Sequence, residues 1–222
     1  MAMVSNLSNN GGKLSSGNVT GLNPSVARHN ITNFLERSTN ACRELVSVYS
    51  ELYNELYSSW ASPNAVRFNS YKSQIQEMLQ SFAKETIEIA RSAISQYNSI
   101  ARANGAASFS LNLDSFVLAI NTDVGQNLVD RQNDIVGMDI MSVDNIMGNF
   151  KNRISNVLDI INSIPTSIAL FDRNASMQTQ HYTNVSRAKN NVSSISNEIL
   201  KSLEVAIEEE RAKLQSASNV NN

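Results

Sequence analysis

The chain has one thiol and two imidazoles, Cys42, His29 and His181, so covalent catalysis would require Cys42 beside one of the histidines. On a single helix the 13 residues from His29 to Cys42 put them roughly 20 Å apart. His181 can approach only through folding. Cys42 lies one position off an apolar stripe and reads as a small buried or half-buried helix residue. The aspartates Asp114, Asp123, Asp130, Asp134, Asp139 and Asp144 raise calcium, yet no D-x-[DN]-x-[DN]-G loop with its closing Glu occurs. They read as a solvated face and helix caps. Glu208-Glu209-Glu210 followed by Arg211 and Lys213 reads as an exposed helix end with cations near its C-terminus. No GxGxxG, phosphate loop, HExxH or paired-cysteine zinc spacing is present. The expectation is no catalytic residue, no cofactor, no metal and no enzyme.

Composition narrows the classes further. Of 222 residues, 41% are hydrophobic and 17% charged, whereas Ser (32) and Asn (30) together make up over a quarter. Most of the polar surface is therefore neutral amide and hydroxyl. A net charge of −2 without a Lys/Arg stripe argues against nucleic acid. A lone cysteine rules out an internal disulfide. Residues 1–24 lack the charged start, apolar block and cleavage site of a secretory signal, so export would be leaderless. No run of about 18 apolar residues suggests a spanning helix.

Periodicity supplies the elements that hold these side chains. Ile31, Phe34, Ala41, Leu45, Val48, Leu52 and Leu56 predict one long helix over about 26–59. Ser62-Pro63 marks a cap and restart. Phe68, Tyr71, Ile75, Met78, Phe82, Ile89, Ala93, Tyr97 and Ile100 predict a second long helix, stopped at Asn104-Gly105. Joined by three or four residues, the two must lie antiparallel. In 105–141, Phe116, Ile120, Val124 and Leu128 suggest a helix near 113–134, Phe109, Leu111 and Leu113 a short strand, and Ser142 or Asp144 a cap for the next helix. A third stripe runs Phe150, Ile154, Val157, Ile161 and Ile164 to Pro165. A fourth, after a turn at 165–174, runs from Val185 to about Leu214.

The second pair of stripes echoes the first. Ala41, Leu45, Val48 and Leu52 match Phe150, Ile154, Val157 and Ile161 at a shift of 109, and Ile75, Met78 and Phe82 match Val185, Ala188 and Val192 at 110. The expected fold is all-α: two long antiparallel helical hairpins making a four-helix-bundle-like domain. The expected divisions are a flexible tail at 1–24, a first hairpin at 25–104, a connecting segment at 105–141, a second hairpin at 142–214 and a flexible tail at 215–222.

Leu56-x3-Trp60-Ala61-Ser62-x2-Ala65-x2-Phe68, a Trp at the bend of a helical hairpin, resembles the WXG-type small helical proteins of bacterial type VII secretion. The resemblance covers about 28–103 and, more weakly, 142–214, where Leu170 or Phe171 stands in place of Trp60. It implies bundles built by pairing two hairpins, usually as dimers, without signal peptides, acting as secreted substrates or as escorts of larger effectors to a membrane ATPase. Two features depart from the family: Ser62 replaces its Gly, and no Tyr is followed four residues later by Asp or Glu, since Tyr97 leads to Ala101 and Tyr182 to Ser186.

Trp60 has two readings, a plug closing the end of a helix pair and a partner anchor widened by Tyr53, Tyr57 and Phe68. The expected function is that of a non-enzymatic partner or substrate in type VII-like secretion. It would bind other helical proteins of the system or itself, and be secreted, or cytoplasmic before export. The alternatives are a membrane-active protein inserting Ile161–Phe171 and a structural coiled-coil assembly component.

Overall fold

The computed structural model describes residues 23–117, 123–129, 137–165 and 175–220. Asn23 opens the first helix, α1 (Pro24–Ser59). Its Oδ1 accepts the N–H groups of Ser25 at 2.9 Å and Val26 at 3.3 Å, and Pro24 needs no donor at the first helical position. Then come β1 (Trp60–Ala61), α2 (Pro63–Arg67) and α3 (Asn69–Ala103). Ser62 caps α2, its hydroxyl accepting the Ala65 N–H at 3.3 Å. Gly105, at φ +67°, ends α3, and the Ala106 N–H reaches back to the Ala101 carbonyl at 2.8 Å. The remaining elements are α4 (Asp114–Val117), β2 (Gly137–Met138), α5 (Ile140–Asn162) and α6 (Ala175–Val220). The chain is all-α, with one small antiparallel pairing in which Trp60 faces Met138 and Ala61 faces Gly137.

Several local expectations are corrected. Phe109–Leu113 is not a strand: its backbone is met by a side chain, Asn98, which donates to the Phe109 carbonyl at 2.8 Å and accepts its N–H at 3.0 Å. The helix expected over 113–134 is confined to α4 among the described residues, and 123–129 is irregular. Gly125 takes a positive φ of +88° there, and a Cβ at this site would lie 2.7 Å from the Ser50 carbonyl oxygen. The cap of α5 is Asp139, not Ser142 or Asp144: its Oδ1 accepts the Ser142 N–H at 3.1 Å and its Oδ2 the Ser142 hydroxyl at 2.7 Å. Those bonds, the hydroxyl's first, hold the Asp139 carboxyl below the usual carboxylate range. Finally, α6 continues through Val220, over most of the expected C-terminal tail. Of the expected tail at 1–24 and turn at 165–174, residues 1–22 and 166–174 lie outside the described residues, while Asn23 and Pro24 belong to the start of α1.

By packing, the chain divides into two units, neither of them contiguous in sequence. The first is Met1–Cys42, Ser81–Ile120 and Ile160–Ala188. In it Ile31, Phe34, Leu35 and Tyr97 are fully buried. The His181 ring lies 4.6 Å from that of Phe34, and Phe109 packs 5.1 Å from Tyr97. Asn184 donates to Thr86 Oγ1 at 3.3 Å, and Arg187 pairs with Glu85, fastening α6 to α3.

The second unit is Arg43–Gln80, Asn121–Asp159 and Lys189–Asn222. Tyr49 joins three helices here: its hydroxyl bonds Ser196 Oγ of α6 at 3.0 Å and its ring lies 5.7 Å from Phe150 of α5. The Asp139 N–H donates to the Ser59 carbonyl at 2.9 Å while Arg153 pairs with Glu51, so α5 runs opposite to α1. Asn64 of α2 meets Glu209 at 2.9 Å and Tyr71 of α3 meets Ser202 at 2.9 Å, so the segment from α2 into α3 runs opposite to α6. With Phe68 folded back on Tyr53, α1 and α6 point one way and α3 and α5 the other. Leu45, Leu52, Leu56, Ile75 and Leu79 are buried in this unit, each contributing about 1.5–3 kcal/mol. That packing must hold helices whose outer faces are rich in poor helix formers such as Ser and Asn.

Candidate partner interface at the Trp60 bend

In the second unit the bend collects the four residues expected as a partner patch, and it buries three of them. Trp60 is 3% exposed, Tyr53 0% and Phe68 5%, while Tyr57 is half-buried. The Trp60 ring meets Phe68 edge-on at 5.0 Å, and Phe68 meets Tyr71 in the same way at 5.5 Å. The Tyr53 hydroxyl donates to the Phe68 carbonyl at 2.6 Å. Burial raises the Tyr53 phenol far above its ordinary value, with the neighbouring phenols of Tyr49 and Tyr71 adding to the shift. In this geometry Trp60 closes the end of the α1–α3 pair and is pinned from outside by β2. An aromatic surface for a partner is therefore not presented by Trp60 or Tyr53 as they stand, and Phe68 shows only 5% of its surface, at the bottom of a groove.

The bend also carries an arrangement that sequence reasoning missed. Lys72 of α3 is only 9% exposed, and its ammonium lies 5.3 Å from the centre of the Tyr53 ring. It donates to the Gly125 carbonyl and, at 2.9 Å, to Asn127 Oδ1. Asn69 accepts the Leu128 N–H at 2.9 Å and donates to the Leu128 carbonyl at 2.9 Å. Asn54 accepts the Gln126 N–H at 3.1 Å, and the Ser50 hydroxyl donates to the Asp123 carbonyl at 3.1 Å. Residues 123–129 are thus strapped across α1 and α3 with Val124 and Leu128 buried beneath. Desolvation lowers the Lys72 pKa, and the Asp123 charge opposes that shift. On a helical wheel Lys72 reads as solvated; no local signal marks the carbonyls it meets.

The thiol and the His181 imidazole are both buried. Cys42 is 1% exposed, and burial pushes its thiol up to about 12, which leaves no thiolate for attack. His181 is fully buried, its ring tilted 58° against that of Phe34, with Nε2 donating to the Pro165 carbonyl. Burial lowers its pKa and the Pro165 carbonyl opposes this. Among the described residues no three His, Cys, Asp or Glu side chains gather as a metal site. An open groove of about 710 Å³ between α1 and α5 is lined largely by neutral groups, among them Ser50, Asn54, Ser58, Asn145 and Asn149. No imidazole or thiol lines it to activate those hydroxyls.

The chain matches no family model, no curated protein and no solved structure. Among the described residues no helix is long and apolar enough to cross a membrane. Of the segment expected to insert, Ile161 and Ile164 are buried in the first unit, and 166–171 lie outside the described residues.

Proposed function

We propose that this is a non-enzymatic helical protein of a type VII-like secretion pathway, acting as a secreted substrate or as a targeting partner for a larger effector through helix–helix contacts. The observation that carries the reading is the Trp60 bend: a single Trp at the turn between two long helices, followed by the Ser62-Pro63 restart. The second unit supports it, because its four long helices run two each way, the number and sense that two paired hairpins supply. The buried thiol and imidazole agree with a role in binding rather than catalysis. On this reading the chain is cytoplasmic before export.

The test is to follow the tagged chain in culture medium and cell pellet of the producing bacterium, with and without the membrane ATPase of its type VII system. The reading expects either ATPase-dependent appearance in the medium or co-purification with a larger exported protein. An unchanged distribution together with no such companion would remove it.

A further inference from the structure

Next to the buried aromatic chain, the second unit holds an open groove of about 380 Å³ whose walls are two helical faces. Arg67 and Tyr71 stand one turn apart along one wall, with Phe68 next to Arg67, and Lys201, Val205 and Glu209 at one-turn spacing along the other. The walls are antiparallel and fixed at both ends, by the bond from Asn64 to Glu209 and by that between Tyr71 and Ser202. The groove is therefore already formed. Phe68 and Ala206 make an apolar floor, and Val205, 52% exposed, is an apolar rim without cover.

Its charge is uneven. Among the described residues neither Arg67 nor Lys201 has a carboxylate partner, whereas the Glu209 carboxylate is engaged by Asn64. A chain of net charge −2 thus places two unpaired cations here against a single carboxylate, Glu209, which keeps its charge while accepting from Asn64. A helix satisfies its own backbone, and two turns of it, roughly 11 Å, match the length from Lys201 to Glu209.

We propose that this groove docks an amphipathic helix of a partner protein, which presents an apolar side chain to Phe68 and Val205 and carboxylates to Arg67 and Lys201. The inference rests on the reading of the chain as a helical partner protein, but its test does not involve export. The full chain is titrated into a fluorescein-labelled 18-residue helical peptide with one leucine stripe flanked by glutamates, and into the same peptide with lysines in their place. The glutamate peptide is expected to bind saturably and roughly three- to thirtyfold more tightly, the range for two exposed ion pairs. Arg67→Glu with Lys201→Glu should reverse the order, and Val205→Asp should weaken both peptides; all three sites are exposed, so circular dichroism should stay unchanged. Equal binding of the two peptides, no saturable binding, or a preference unmoved by charge reversal would overturn the proposal. So would a dimer of the chain that the same substitutions dissociate, since a second copy would then be the occupant. Loss of ATPase-dependent export with this binding intact would strike the secretion reading alone.

Discussion

The Lys72 ammonium reaches the Gly125 carbonyl across a separation of 53 residues, and the Gly125 backbone sits tightly against Ser50 and Tyr53 of α1. The two depend on each other. A left-handed backbone at Gly125 turns its carbonyl toward Lys72, and only the missing side chain lets that backbone approach Ser50 and Tyr53.

Gly125→Ala should therefore lower stability by about 1–3 kcal/mol, combining an unfavourable φ with a clash against backbone that cannot move aside. Denaturant unfolding of the full chain measures it. Gly105→Ala is the comparison: it shares the positive φ but meets nothing within 4 Å, so it should cost less. Equal losses at the two positions would mean that contact with α1 contributes nothing.

Trp60→Ala should cost about 3–5 kcal/mol, as for a large aromatic removed from a closed site, and Trp60→Phe appreciably less. As the only Trp, 3% exposed, it should emit at short wavelength in the native state and shift red on unfolding. Any partner bound by the wild type should remain bound to Trp60→Phe. Loss of that partner with unchanged stability would make Trp60 a direct contact after all.

His181 gives the fold an acid limit. Its folded pKa lies below the ordinary 6.5, so the unfolded chain binds more protons as pH falls through that value. The stability contributed by the neutral, buried ring is thus complete above about 6.5 and declines below it, toward the depressed folded pKa. Denaturation midpoints should fall between pH 7.5 and 5. A His181→Gln variant, less stable at pH 7.5, should show a shallower fall over that interval, and an equal slope in the two proteins would assign the acid sensitivity elsewhere.

Cys42 should resist thiol reagents in the folded protein and react at the rate of unfolding, because burial holds its thiol up at about 12. Cys42→Ala should cost about 1 kcal/mol or somewhat more, a buried sulfur left unreplaced. Stopped-flow labelling across denaturant concentrations tests this, and rapid labelling in plain buffer would contradict it.

The long helices were legible because their apolar stripes are both the signal in the sequence and the surfaces that pack. Ile31, Phe34, Leu45, Leu52, Ile75 and Val192 lie on predicted stripes and are buried. Ser62 was legible as a cap for the same local reason. The strap was not. Val124 and Leu128 are four apart and buried, as on a helix, but their backbone is held by Asn54, Asn69 and Lys72, polar residues from helices far away in sequence. At the bend the plug was one of two readings the sequence allowed for Trp60, and the structure buries it; what was not legible is its backbone pairing with Met138, which no local rule anticipates. The cap of α5 was missed by three residues: Ser142 takes part, but as the group that answers Asp139.

Neither packing unit is complete without α6: the first draws on it up to Ala188, and the second from Lys189 onward, where Ile199, Leu203 and Ile207 are buried. As the ribosome releases this chain, both cores therefore wait on the same late segment. Until it emerges, the apolar flanks that α6 covers stay bare in both cores at once. Cutting the gene between α3 and α5 would yield two fragments that each lack part of both cores, rather than two independently folding halves.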